Sequence, residues 1–351
     1  MRDEKCGHQT CLCNFLVQSK RPMAIEIELD LSDHLLQECV AGIRPYRVGS
    51  YRIESELIGK KNVIHNYGHG GCGVTLSWGS AQEVLRLANA DDGTLKTVGV
   101  LGAGVNGLTT AILMAEQGFS VTIYTAETSP NTTSDIAGAQ WAPSFICFGD
   151  SEKETERFHE NLRESYRVFE SLIGDEYGVS RRTNYVEDGH SSFFDRLPKG
   201  ILPPPKHYSR LPFSKTNVSG RSFETLLIET PRYMGRLMQR VKSNGIEIKL
   251  KTFTIAEEIS LLPEETIVNC LGAGAAEVMQ DKQMEPIKGQ LAMLPPTEEA
   301  DWLLSHKTGY IFPRKDALVV GGTVERGISD ASVSREACVG ILMENRKLLV
   351  R

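Results

Sequence analysis

The chain has 351 residues, 39 basic against 45 acidic side chains, a formal net charge of −6 and 40% hydrophobic content. That length supports a sizeable core and suggests two lobes, while the acidic balance, with a pI near 5.8, argues against a nucleic-acid or anionic-membrane partner. No apolar run approaches the roughly 18 residues of a membrane span, and residues 1–20 lack the apolar centre of a signal peptide, so a cytoplasmic location is expected.

Eight cysteines are spread through the chain without the density of a disulfide scaffold. Cys6, His8, Cys11 and Cys13 cluster, but their spacing matches no standard zinc finger, so residues 1–23 are expected to be a disordered tail without metal. Met23 offers a second start. Alternation at 25–30 and again at 51–57 predicts extended structure on both sides of a rigid Arg44-Pro45 turn. Arg44 reads as an exposed loop arginine or as a fixed guanidinium able to clamp a carboxylate.

The stretch NYGHGGCGVT at 66–75 places four glycines within six residues and enters a helix expected over 76–90. Such a loop presents free backbone N–H groups to an anion. His65 and His69 are four apart, but the glycines disfavour a helix there and with it a shared metal face. Polar residues 89–96 then link to VGVLGAGVNGLTTAILMAEQGFSVTIYTAE at 98–127, which reads as strand, tight turn, helix and strand. Gly102 permits the turn, Gly104 lets the backbone approach a pyrophosphate, and Gly107 lets helix and strand pack closely. This is a dinucleotide half-site. Thr125 stands where an acid usually takes the ribose hydroxyls, with Glu127 two residues on as its substitute.

Residues 132–141, TTSDIAGAQW, form a small, hydroxyl-rich segment suited to wrap a phosphate or flat ring. An amphipathic helix is expected over 152–174, a stiff proline-rich loop over 198–212, a strand over 223–229, a helix over 231–244 and a strand over 246–251. A buried strand at 266–274 runs into a second Gly-rich turn and returns the chain to the dinucleotide site. Sheet is expected at 289–294 and 309–322, the latter a hairpin turning at Arg314, Lys315 and Asp316, and a helix closes the chain over 331–350.

Taken together, GIRPYR (42–47), NYGHGGCGVTLSWG (66–79), GAGVNGLTTA (102–111), TTSDIAGAQW (132–141), IVNCLGAGA (267–275), the Gly289-Gln290 pair, GYIFPR (309–314) and GGT (321–323) resemble the D-amino-acid oxidases. The resemblance implies an α/β fold with a Rossmann-type FAD-binding lobe and a mostly antiparallel substrate sheet. The order differs from the family's: the Arg-Pro and NYGHGG segments precede the Gly-rich unit instead of closing the chain. A circular permutation is therefore expected, which the fold tolerates when old termini lie close together. The FAD lobe is assigned to 60–146 and 223–288, and the substrate lobe to 24–59, 147–222 and 289–351.

Carried onto this chain, the resemblance makes Arg44 the α-carboxylate clamp, Tyr310 its hydroxyl partner and Gly71 the carbonyl acceptor for the α-amino group. It assigns FAD to Gly102, Gly104, Val105, Asn106, Gly107, Thr125, Glu127, Thr133, Ser134, Ala139, Gln140 and Trp141, with Gly70, Cys72, Val74 and Thr75 presenting amides and a helix dipole to the flavin. Ala142, Ser144, His306 and Phe312 would shape the substrate pocket. The implied chemistry is hydride transfer from the D-amino acid Cα to flavin N5, then hydrolysis of the imino acid to a 2-oxo acid and ammonia, with O2 reduced to hydrogen peroxide.

His306 replaces a tyrosine usual four residues before Tyr310, and Ala142 and Ser144 are smaller than in many relatives, which implies a wider or more polar pocket. Val324 stands where D-aspartate-specific relatives carry arginine, which disfavours an acidic substrate despite nearby Arg326. The C-terminal Lys347 to Arg351 lacks the peroxisomal tripeptide of eukaryotic members. The expected partners are an amino acid and O2, with a homodimer as the assembly considered. The competing readings are a related flavin amine oxidase or dehydrogenase acting on glycine, an N-alkyl or a carrier-bound amino acid, and a flavin- or NAD-binding protein without turnover.

Overall fold

The computed structural model describes residues 29–89, 97–190, 193–213, 216–298 and 300–349. The expected tail at 1–23 lies outside them, as do residues 90–96 of the expected link. Two sheets organise the described residues. The first has six strands in the order β2 (Arg52–Ile58), β3 (Lys61–Tyr67), β10 (Thr266–Asn269), β4 (Thr97–Leu101), β5 (Ser120–Thr125) and β9 (Glu247–Leu250). Neighbours from β3 to β9 are parallel, and only β2 runs antiparallel.

Parallel strands bury both faces, and here the two faces feed two cores. Ile64, Val98, Val100, Ile123 and Val268 pack with α1 (Gly73–Asn89), α2 (Val105–Glu116) and α5 (Thr230–Ser243). Val63, Leu101, Tyr124 and Ile267 pack with Phe253, α6 (Glu257–Ser260) and α7 (Ala275–Val278). Because β3, β10, β4 and β5 run the same way, their C-terminal ends emerge along one edge, where open α/β sheets place their ligands.

The second sheet has the order β1 (Glu38–Arg47), β11 (Met284–Leu294), β14 (Leu318–Gly321), β13 (Gly309–Pro313), β12 (Trp302–His306), β6 (Val179–Glu187), β8 (Gly220–Ile228) and β7 (Lys206–Tyr208), with β15 (Glu325–Arg326) also on β11. All its pairs are antiparallel except β12 with β6. One face packs Ala292, Ile311 and Val320 against Cys338, Ile341 and Leu342 of α8 (Arg335–Leu349). The opposite face, with Leu291, Phe312 and Val319, meets Ile136 of α3 (Thr133–Ile136).

Four features differ from the sequence expectation. Arg44 and Pro45 do not make a turn; both lie inside β1, where Pro45 faces Pro286 across the ladder. Two residues without an N–H can sit opposite one another where the ladder exchanges no bond, and β1 is an edge strand, where proline is tolerated. β2, assigned to the substrate lobe, belongs to the six-stranded sheet because the two-residue connection Gly59-Lys60 folds it back on β3. β8 and the start of β11, assigned to the FAD lobe, belong to the nine-stranded sheet. α4 (Glu152–Ser171), the expected amphipathic helix but assigned to the substrate lobe, packs on α1: Ser165 Oγ donates to Thr75 O at 2.5 Å and Asn161 Nδ2 to Glu83 at 2.6 Å.

Candidate active site

A cavity of about 1030 Å³ opens where the C-terminal ends of β3, β4, β5 and β10 face the nine-stranded sheet. Its size lies at the top of the roughly 300–1,000 Å³ usual for ligand sites. At one end the β4–α2 turn is shaped by close backbone approach. Gly102 has φ +100°, and a Cβ at Gly107 would lie 2.0 Å from the Gly102 carbonyl oxygen. Hydroxyls brace the loop. Ala103 N donates to Thr125 Oγ1 at 3.1 Å, Val105 N to Ser134 Oγ at 3.0 Å, and Thr125 Oγ1 to the Glu127 carbonyl at 2.6 Å. Asp135 holds the Thr133–Ser134 turn by accepting from Thr132 N and Oγ1 at 3.0 and 2.6 Å.

Opposite this turn, β3 leads through Gly68 and Gly70, both with positive φ, into α1. Gly73, Val74 and Thr75 at that helix N-terminus line the cavity, so unpaired amides and the positive end of a helix dipole face it. His69 ties the two loops together: its Nδ1 accepts from Asn106 Nδ2 at 3.2 Å and its Nε2 meets Ser80 Oγ at 3.0 Å. Asn106 Oδ1 and Gln140 Nε2 are buried without a protein partner in residues that line the cavity. Buried polar atoms ordinarily have one, so the lining suits a polar guest with phosphates and an amide-rich ring such as FAD.

At the other end, Arg44 projects from β1 and its guanidinium lies against β11 at Gly289, where a Cβ would sit 2.5 Å from Cζ. Nη1 donates weakly to Thr323 O at 3.5 Å. Arg44 makes no ion pair among the described residues, which leaves its charge for an anion. Tyr310 on β13 stacks on Phe312, with centroids 4.4 Å apart. Burial holds its phenol above the ordinary range, while the charges of Arg44 and Arg314 pull the other way. The hydroxyl therefore stays protonated and able to donate. The Gly71 carbonyl accepts from Ser144 Oγ at 3.0 Å and keeps a second lone pair.

Most of the expected site residues line this one cavity: Arg44, Gly70, Gly71, Val74 and Thr75; Gly102, Gly104, Val105, Asn106, Thr125 and Glu127; Thr133, Ser134, Ala139, Gln140, Ala142 and Ser144; His306, Tyr310 and Phe312. Three do not. The Trp141 indole is buried in the core against Tyr166, with centroids 4.8 Å apart, because its backbone N donates to Leu226 O and turns the ring away. The Cys72 thiol is buried in the same core, and burial pushes its pKa up. Gly107 acts beneath the turn. His306 reaches the cavity but its Nε2 is engaged by Asn345 Oδ1 of α8 at 2.7 Å. Ala142 joins Val186, Phe194 and Phe223 in a small cluster beside the pocket.

Phe145 and Phe193 escaped the sequence reading. Phe145 has φ +47°, its ring lies 5.1 Å from Arg44 Cζ, and it meets Phe193 at 5.3 Å. Glycine or asparagine would have signalled such a backbone; phenylalanine does not.

Burial depresses the His69 pKa from 6.5 to about 3, so the ring is neutral when folded and protonates more readily when unfolded. The unfolded chain then binds the extra proton between those values, and stability falls as pH drops from 6.5 towards 3, by about 1.4 kcal/mol per pH unit. Buried His65, also lowered by desolvation, acts in the same direction. His69→Gln is expected to flatten this slope, as read from urea unfolding at pH 7, 6 and 5; an unchanged slope would assign the acid sensitivity elsewhere.

A family model described as FAD dependent oxidoreductase matches residues 97–350. Among curated proteins, a D-amino-acid oxidase of Streptomyces coelicolor is 28% identical over 72% of this chain and 77% of its own. A D-aspartate oxidase of Homo sapiens is 27% identical over 68% and 73%. Among solved structures, a glycine oxidase from Geobacillus kaustophilus superposes with a TM-score of 0.55 at 18% identity, covering 74% of this chain and 79% of that one, a likeness of fold.

Proposed function

We propose that this chain, which belongs to the FAD dependent oxidoreductase family and acts on amino acids with FAD as cofactor, takes as its substrate the D-isomer of a free α-amino acid. The observation that carries this reading is the Arg44 guanidinium, without an ion pair among the described residues, beside the protonated Tyr310 hydroxyl on the cavity wall facing the cofactor loops. Arg44 takes the substrate carboxylate through charge-assisted hydrogen bonds, and Tyr310 donates to the same group. The free lone pair of the Gly71 carbonyl accepts from the α-amino group. With carboxylate and amine both held, one face of Cα is turned towards the loops from β4 and β3, and the isomer is selected by that geometry.

FAD, when bound, would supply the two-electron acceptor for the Cα hydrogen, with O2 as the final oxidant. The chain supplies orientation, exclusion of bulk water, and amides at the N-terminus of α1 that favour negative charge on the cofactor's near edge. No side-chain acid or base is needed beyond these. Gly102, Gly104, Val105, Asn106, Thr133, Ser134 and Gln140 hold the cofactor in this reading, and Glu127 takes a ribose hydroxyl.

The chain order is read as a circular permutation. In support, the family match begins at residue 97, yet Arg44 and the Gly70–Thr75 loop, which precede it, line the same cavity as the matched segments.

Anaerobic addition of amino acids to the purified flavoprotein tests the proposal. Bleaching of the flavin by D-isomers but not by L-isomers is expected, with peroxide on readmission of air. Bleaching by glycine or N-alkyl amino acids alone would move the assignment to an amine oxidase, and reduction without peroxide to a dehydrogenase.

A further inference from the structure

Phe145 is where the two substrate-binding groups meet. Its ring lies over the Arg44 guanidinium, 5.1 Å from Cζ. Its carbonyl oxygen accepts from Gly71 N at 3.1 Å, and the side chain of neighbouring Ser144 donates to Gly71 O at 3.0 Å. The approach is close enough that a Cβ on Gly70 would fall 1.9 Å from Phe145 O. Phe145 itself holds φ +47°, a region that residues with side chains seldom occupy. Such backbone persists where surrounding contacts over-determine it, and it concentrates at ligand clamps. Phe193 abuts the ring at 5.3 Å.

We propose that Phe145 is a positioning residue that sets the Arg44 guanidinium through its ring and the Gly71 carbonyl through its main chain, so that carboxylate and amine sites are held at a constant separation. Arg44 needs such a partner because its hydrogen bonds go to neutral groups, a 3.5 Å contact to Thr323 O and the Tyr310 hydroxyl, while it lies against Gly289 and its planar face is met by Phe145. An aromatic face attracts a guanidinium most when both are shielded from water, and Phe145 is partly buried. The inference rests on the reading of Arg44 as the carboxylate clamp.

The test separates ring from backbone. Phe145→Leu removes the aromatic face, Phe145→Gly removes the ring while suiting the positive φ, and Phe145→Tyr keeps the ring. In the holoenzyme, Phe145→Leu and Phe145→Gly are expected to raise KM for the best amino acid, and Kd for the matching 2-oxo acid by calorimetry, by roughly tenfold. kcat should stay within about twofold, and Phe145→Tyr should restore both constants. Unchanged KM in the leucine and glycine variants, a loss confined to kcat, or failure of tyrosine to rescue would overturn the proposal. Arg44→Ala is measured alongside. If it leaves the oxo-acid Kd unchanged, the clamp reading itself is wrong; if it weakens binding while the Phe145 variants do not, only the positioning role is lost.

Discussion

Arg44→Ala is expected to lower kcat/KM for the preferred D-amino acid by about a thousandfold while leaving flavin content at one cofactor per chain. Two charge-assisted hydrogen bonds to a carboxylate contribute roughly 1.5–3 kcal/mol each, so their loss removes about 4 kcal/mol of transition-state binding. Arg44→Lys should recover only part of this, because an ammonium cannot present two parallel donors. Flavin content should hold because Arg44 projects from β1 of the nine-stranded sheet, whereas the cofactor turn belongs to the six-stranded one. A variant that retains flavin and turns over within tenfold of the parent would remove Arg44 from the site.

Gly107→Ala should produce the opposite split, a chain that purifies with little flavin absorbance and binds added FAD roughly 10- to 100-fold more weakly. The new methyl would meet the Gly102 carbonyl at 2.0 Å, a backbone atom with no flexible side chain to yield. Relief requires α2 to move off the β4 turn, which displaces the amides of Val105 and Asn106 and breaks the Val105 N to Ser134 Oγ bond of 3.0 Å. Overpacking of this kind costs about 1–3 kcal/mol. Titration of the variant with FAD, followed by flavin fluorescence, gives the number; unchanged affinity would show that the turn is softer than its contacts imply.

The strand–turn–helix–strand at 97–125 was legible because each of its signals is local: a short apolar run, glycines at set intervals and helical periodicity in succession. The hairpin β13–β14 was legible for the same reason, with Arg314, Lys315 and Asp316 at its turn. What escaped depended on partners distant in the chain. Alternation in β2 is the same whichever sheet it joins, and only the short Gly59-Lys60 connection held the answer. Arg44-Pro45 reads as a turn until Pro286 is placed opposite. Trp141 and Cys72 lie within segments that do line the cavity, but which way a single side chain faces is decided by the core behind it. Phe145 carries no local signal, since its left-handed backbone is imposed by Gly70, Gly71 and Arg44 from other elements.

The small cluster of Ala142, Val186, Phe194 and Phe223 sits beside the cavity, and neither Arg44 nor the cofactor turn belongs to it. In the proposed reading, exchanging volume among those four side chains would reshape the space offered to a substrate's side chain while leaving Arg44 and Tyr310 in place. On that reading, substrate range and catalytic competence would be mechanically separable in this scaffold, with new amino acids reached by trading methyl groups in one corner.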